Sequence, residues 1–104
     1  PDTLLEKIRL LRRELPEAVI VVSSILPAYE PAISREKLWL QIPDYTAAVQ
    51  AMCEENSVLF ADNTQLSEDY ADLWQPDGIH LLPEFYPHWA ANLIFASWGE
   101  IADA

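Results

Sequence analysis

Apolar residues recur at helical spacing in the opening segment DTLLEKIRLLRREL, where Leu4, Leu5, Ile8, Leu11 and Leu15 share one face and the charges take the other. Asp2 or Thr3 is placed to cap this helix, and Pro16 marks its end. The pattern then changes. Residues 18–26, AVIVVSSIL, are β-branched and almost continuously apolar, as expected of a parallel strand covered on both faces. Pro27 and Pro31 bound a loop. Residues 34–55 regain helical character, with Ser34 as a cap and a break at Ile42-Pro43, where Pro43 opens a second helix. Tyr45, Ala48, Val49 and Met52 are expected on its packed face. SVLFAD, residues 57–62, reads as a second strand, and residues 63–75 show no periodicity. The last segment, PEFYPHWAANLIFASWGEI, places Phe85, Trp89 and Leu93 along one side of a terminal helix whose first turn Pro87 is expected to distort.

Strand, helix and strand in succession imply a parallel crossover and an α/β layered fold. Two strands are few for such a sheet. Each keeps an open edge although its sequence suggests burial, so further strands are expected from another piece of chain. The chain begins at Pro1, inside a helical pattern, and reads as the continuation of a longer polypeptide.

Composition narrows the partners. With 104 residues the chain has room for one domain, and 51% hydrophobic against 22% charged residues suits a packed core. Six basic residues against 17 acidic ones give a formal charge of −11. Four of the six, Lys7, Arg9, Arg12 and Arg13, lie on the first helix. Nucleic acid and anionic membranes are disfavoured, since both require clustered cations. No apolar run approaches a membrane span, and the single Cys53 leaves the redox compartment open.

One motif carries chemistry. Asp77-Gly78-Ile79-His80 is the only Asp-x-x-His in the chain. It lies in a loop ahead of the last helix, with Gly78 permitting an unusual backbone between its ends. A carboxylate beside an imidazole fixes its tautomer and stabilises the imidazolium, as a general base in acyl transfer requires. The bland alternative is an Asp-Gly turn carrying a surface histidine.

The stretch DGIHLLPEFYPHWAANLI resembles the last sequence block of the SGNH (GDSL-type) hydrolases. In that family an Asp-x-x-His pair precedes the C-terminal helix and serves a serine near the N-terminus. The resemblance extends back through VIVVSSILP and IPDYTAAVQAMCEENSVLFAD, in the family's order. It implies a three-layer, flavodoxin-like α/β fold with a parallel sheet. Residues 1–104 would supply the C-terminal part of the single domain, with about two strands and three to four helices. It also implies that His80 is the general base and Asp77 its orienter, on a small acyl-ester substrate such as an acylated carbohydrate or lipid, with no cofactor and no metal. The family's Gly-Asp-Ser block and its Gly and Asn blocks are absent, and would lie upstream of Pro1.

Candidates for a nucleophile within the chain are weak. Ser23 and Ser24 sit inside an apolar strand without a glycine-flanked elbow. Ser34 and Ser67 suit a cap and a loop, Ser57 precedes a strand, and Ser97 lies late in the last helix. Cys53 beside Met52 reads as a buried apolar residue, although a Cys53–His80 pair is a formal rival. Asp62 ends a strand and suits a turn with Asn63-Thr64, with ligand binding beyond the strand end as its sharper alternative. His88, eight residues after His80, lacks the compact spacing of a zinc site with Asp77. Most of Trp74, Phe85, Tyr86, Trp89 and Trp98 are expected in the core, with Trp74 a candidate lining for an acyl pocket. A non-catalytic, acidic, self-associating α/β module, pairing through its open sheet edges, remains the alternative to the hydrolase.

Overall fold

Two three-residue strands, Val21–Ser23 (β1) and Leu59–Ala61 (β2), pair in parallel in this computed structural model, with Val22 opposite Phe60. The structure describes residues 2–102, and side chains through residue 98. Both strands are shorter than the apolar runs 18–26 and 57–62. The reason lies at the ladder's two ends. Residues before Val21 find no strand opposite them, because β2 begins directly after a helix terminus. Beyond Ser23, Ser24 still donates its N–H to Ala61 O at 2.9 Å, but side chains then replace the ladder.

Five α-helices accompany the strands: Asp2–Glu14 (α1), Ala32–Arg35 (α2), Ile42–Glu55 (α3), Thr64–Asp69 (α4) and Tyr86–Ala102 (α5). The expectation of three to four missed α4, whose segment has no apolar periodicity. Ser34 lies within α2 rather than ahead of it, and its hydroxyl donates to the Glu30 carboxylate. A 3₁₀ turn, Lys37–Gln41, leads into α3, where Pro43 takes an early position at which its missing N–H costs nothing. Pro87 does the same for α5 and leaves that first turn helical.

The alternation of β1 and β2 divides the molecule into layers. Val22 and Phe60, with Ile20, point to one side and meet α1 and α3. The core there is Ile8, Val49, Met52, Cys53 and Val58, with Leu4 and Leu5 packed against it. α5 lies against both strands on the opposite side, where Trp89 donates its indole N–H to Ser23 Oγ at 3.1 Å. The order helix, sheet, helix is the three-layer α/β arrangement expected from the pattern.

The packed face of α3 is Val49, Met52 and Cys53, while Tyr45 and Ala48 are exposed. On α1 only Ile8 is buried, with Leu11 and Leu15 largely open to solvent. The C-terminus of α3 is closed by two backbone bonds, Val58 N–H to Cys53 O at 2.9 Å and Ser57 N–H to Glu54 O at 3.4 Å. Ser57 adopts the left-handed conformation there, φ 56°, usually given to glycine. Arg12 of α1 reaches across to donate to Asn56 O at 2.8 Å and Ser57 O at 2.7 Å, placing a cation on the negative end of the α3 dipole.

Candidate functional site

The candidate pair sits at the tip of a short hairpin. Trp74 and Leu81 form an antiparallel bridge, Leu82 N–H donates to Leu73 O at 2.7 Å, and Gln75 N–H donates to His80 O at 2.7 Å. Gln75-Pro76-Asp77-Gly78 forms the turn, closed by Gly78 N–H to Gln75 O at 3.0 Å. Proline second and glycine fourth are the residues such a turn prefers. Gly78 leaves it with φ 79°.

That turn brings all of Asp77's acceptors into use. Oδ1 accepts from Ile79 N–H at 2.9 Å and from His80 N–H at 3.0 Å, while Oδ2 accepts from His80 Nδ1. The imidazole bond, followed by the two backbone donors, lowers the Asp77 pKa to about 2. A carboxylate ionised at neutral pH only accepts hydrogen bonds, so the imidazole proton resides on Nδ1. In the neutral imidazole the lone pair then lies on Nε2, which has no partner among the described residues. The His80 side chain is 71% exposed against 36% for Asp77. The bond geometry therefore orients a half-covered carboxylate behind an accessible basic nitrogen.

The hairpin tip rests on the loop leaving β1. Tyr29 N–H donates to Gly78 O at 2.8 Å, and Trp74 Nε1 donates to Pro27 O at 3.2 Å. Trp74 is buried between the edges of Tyr29 and Phe85, with ring centroids 5.2 and 4.9 Å away. Its indole is thus a foundation of the hairpin. The Tyr29 hydroxyl in turn donates to Ser67 O of α4 at 3.2 Å. Burial, and secondarily the Glu68 charge, raises the Tyr29 pKa and keeps it a neutral donor. Loops following both strands therefore hold the pair beyond the carboxyl end of the sheet, where parallel α/β folds gather their sites.

Beneath lies a polar network that the sequence did not disclose. Asn63, two residues after β2, is fully buried. Its Nδ2 donates to Ser23 Oγ at 2.9 Å, its backbone N–H to Ser24 Oγ at 2.8 Å, and its Oδ1 accepts from Asn92 Nδ2 at 2.7 Å. Ser67, equally buried, returns its hydroxyl to Asn63 O at 2.7 Å. A polar residue two places beyond an apolar strand was the available signal, and its partners from the β1 end and α5 lie 29 to 40 residues away in sequence.

The other candidates are accounted for by structure. Ser23, Ser24 and Ser67 are held in this network, and Ser97 bonds back to Leu93 O at 3.0 Å in its own helix. Asp62 Oδ1 accepts from Thr64 N–H at 2.9 Å, the turn role expected of it. His88 stacks on Tyr70 at 4.0 Å between ring centroids. Cys53 has no exposed surface and burial raises its thiol pKa, so it stays protonated inside the α1–α3 core. Among the described residues no serine or cysteine side chain bonds to His80. Phe85 is in the core as expected, but Tyr86 and Trp98 are more than half exposed.

No protein-family model matches the sequence. No curated protein matches it either. Among solved structures the chain is similar to the esterase domain of the ZfL2-1 ORF1 protein from the zebrafish ZfL2-1 retrotransposon, with a TM-score of 0.66 and 27% identity. The match covers 88% of this chain and 52% of that one, so the chain spans about half the length of its solved neighbour.

Proposed function

We propose that this chain, whose fold is that of an SGNH-like esterase, supplies the base and its orienter to an ester hydrolase, and that the nucleophilic serine comes from outside the 104 residues. The observation that carries the proposal is Asp77, both of whose oxygens are engaged so as to hold His80 with Nε2 unpartnered among the described residues and the ring largely open to solvent. The likeness to a solved esterase domain supports the hydrolase class. In this scheme a serine Oγ attacks the ester carbonyl carbon while Nε2 takes its proton. The imidazolium passes that proton to the departing alcohol, and water activated by the same nitrogen then cleaves the acyl-enzyme. Asp77 stays ionised throughout and stabilises the imidazolium. Carboxylic esters are the substrate class, with acylated carbohydrates and lipids as candidates.

The test uses the full-length translation product containing these 104 residues, assayed on p-nitrophenyl acetate. His80→Ala is expected to lower kcat by about 10⁴-fold or more. Retention of the rate within a few-fold would remove His80 from the chemistry. A serine-directed fluorophosphonate is expected to label the full-length product outside residues 1–104. Labelling of a serine inside them would place the nucleophile here after all. The apolar stripe of Ala91, Ile94, Phe95 and Trp98 along α5 favours a second reading, an interaction module. An intact product with neither turnover nor labelling is its signature.

A further inference from the structure

Two cavities of different character flank the sheet. One is a groove between α1 and α3, beside the open edge of β1, with Lys7 as its only charged side chain. The other lies beyond the carboxyl ends of both strands, between the loops that leave them and the N-terminal part of α3, and holds about 270 Å³. Pro27, Ile42 and Pro43 give this second cleft apolar walls, while Thr46, Gln50 and Asp62 bring polar atoms to it. Thr46 and Gln50 stand four residues apart and so share one face of α3. Asp62 spends only Oδ1 on its turn, accepting from the Thr64 N–H and hydroxyl, and Oδ2 is left over. The Thr46 hydroxyl and the Gln50 amide likewise have no partner among the described residues. Ligand sites of parallel α/β folds collect at this end of the sheet, and apolar walls with a few converging polar groups are their usual make-up.

We propose that this cleft holds an uncharged, polyhydroxylated part of the substrate, which selects acylated carbohydrates over lipid esters. The proposal rests on the hydrolase reading above for the reaction, and adds to it a binding site made by Thr46, Gln50 and Asp62. The polar groups choose the chemistry. Asp62 Oδ2 only accepts, whereas the Thr46 hydroxyl and the Gln50 amide both donate and accept, and sugar hydroxyls answer all three. A lipid chain would cover these groups and leave them unpaired. A phosphate or other anion finds no Lys, Arg or His among the described residues that line the cleft, and meets the Asp62 carboxylate instead. The rings of Pro27 and Pro43 offer apolar contact to the C–H faces of a sugar. One loop joins this cleft to the candidate pair. Pro27 O accepts from Trp74 Nε1, and two residues on, Tyr29 N–H holds Gly78 O. Binding in the cleft thus supplies affinity remote from the scissile bond, which can be used at the reacting centre.

Binding and turnover of the full-length product test this separately. Titration with maltose, cellobiose and xylobiose is expected to shift the amide resonances of Thr46, Ala47 and Thr64, which line the cleft, with at least one of the three sugars. Thr46→Val combined with Gln50→Leu is expected to abolish that shift while the rest of the spectrum stays in place. The ratio of kcat/KM for a mono-O-acetyl ester of the same sugar to kcat/KM for hexyl acetate is expected to fall about 10-fold in this variant, the loss of two hydrogen bonds. Gln50 is exposed, so Gln50→Ala alone keeps the fold and is expected to lower the ratio about 3-fold. No shift with any of the sugars overturns the proposal, and a shift with ethanolamine in their place makes an ammonium group the occupant. Shifts that survive in the double variant, or a ratio that does not move, overturn it as well. Sugar-induced shifts in a product that cleaves neither ester sink the hydrolase reading alone, and cleavage of both esters without any shift sinks only the cleft.

Discussion

Replacing Gly78 by alanine probes how firmly the hairpin tip is held. At φ 79° an L side chain is strained, which costs about 1–2 kcal/mol. The added Cβ would also run into the Tyr29 carbonyl, lying 2.7 Å from its carbon and 3.0 Å from Glu30 O, with overlap at Tyr29 O itself. These are backbone atoms, so no rotamer change relieves the contact. The tip must lift, and lifting breaks the 2.8 Å bond from Tyr29 N–H to Gly78 O, worth about 1 kcal/mol. The sum is a loss of roughly 2–3 kcal/mol. Urea unfolding followed by tryptophan fluorescence measures it, since Trp74 lies under the tip. Displacement of about 1 Å at an acid–base group costs on the order of 10²-fold in rate. On the proposed mechanism kcat for p-nitrophenyl acetate therefore falls by about that factor while KM changes little. Tyr29→Phe, which removes only the hydroxyl bond to Ser67 O, serves as the control and is expected to cost about 1 kcal/mol or less. An unchanged urea midpoint for Gly78→Ala, with unshifted amide resonances at residues 77–80, refutes the idea that the β1 loop carries the tip.

Asp77→Asn keeps an oxygen for the Ile79 and His80 amides but turns an N–H₂ toward the ring, which moves the imidazole proton to Nε2. On the proposed mechanism kcat falls by about 10⁴-fold, and ¹⁵N shifts of His80 report the reversed tautomer. The Asp77 carboxyl has its pKa lowered from 3.8 to about 2 on folding, so the unfolded chain binds its proton first as pH drops. Its stabilisation is complete above about pH 4 and is lost as pH falls toward 2. The gap in urea midpoint between wild type and Asp77→Asn should therefore close over that window, and a gap that persists at pH 2 contradicts the assignment. Asn63→Ala removes a buried side chain together with its bonds to Ser23 Oγ and from Asn92 Nδ2 and is expected to destabilise by about 2–4 kcal/mol in the same unfolding assay. A loss below ~0.5 kcal/mol would mean that the network adds nothing to the fold.

What the sequence disclosed was local. The α1 stripe, the parallel pair around α3 and the terminal helix follow from spacings of two to four residues. So does the Asp77–His80 contact, because three residues and a glycine suffice to fold the motif on itself. What it concealed depends on distance along the chain. α4 has no apolar period and is held by the Asp62 turn, by Ser67 on Asn63 and by Tyr29 from the β1 loop. The Asn63 network joins residues from β1, β2, α4 and α5, and no window of residues contains it. The strand lengths failed for a related reason. Apolar character marks what is to be buried, but pairing is set by where the partner strand starts.

Several of the misplaced expectations share one location. Leu11 on the α1 stripe, Ile25 in the apolar run of β1 and Tyr45 on the face assigned to α3 were all expected to pack. All three are 40–48% exposed, and all three line the groove beside the open edge. Independent errors in reading periodicity would scatter over the surface. Their convergence marks the groove beside β1 as the place where apolar spacing and burial part company.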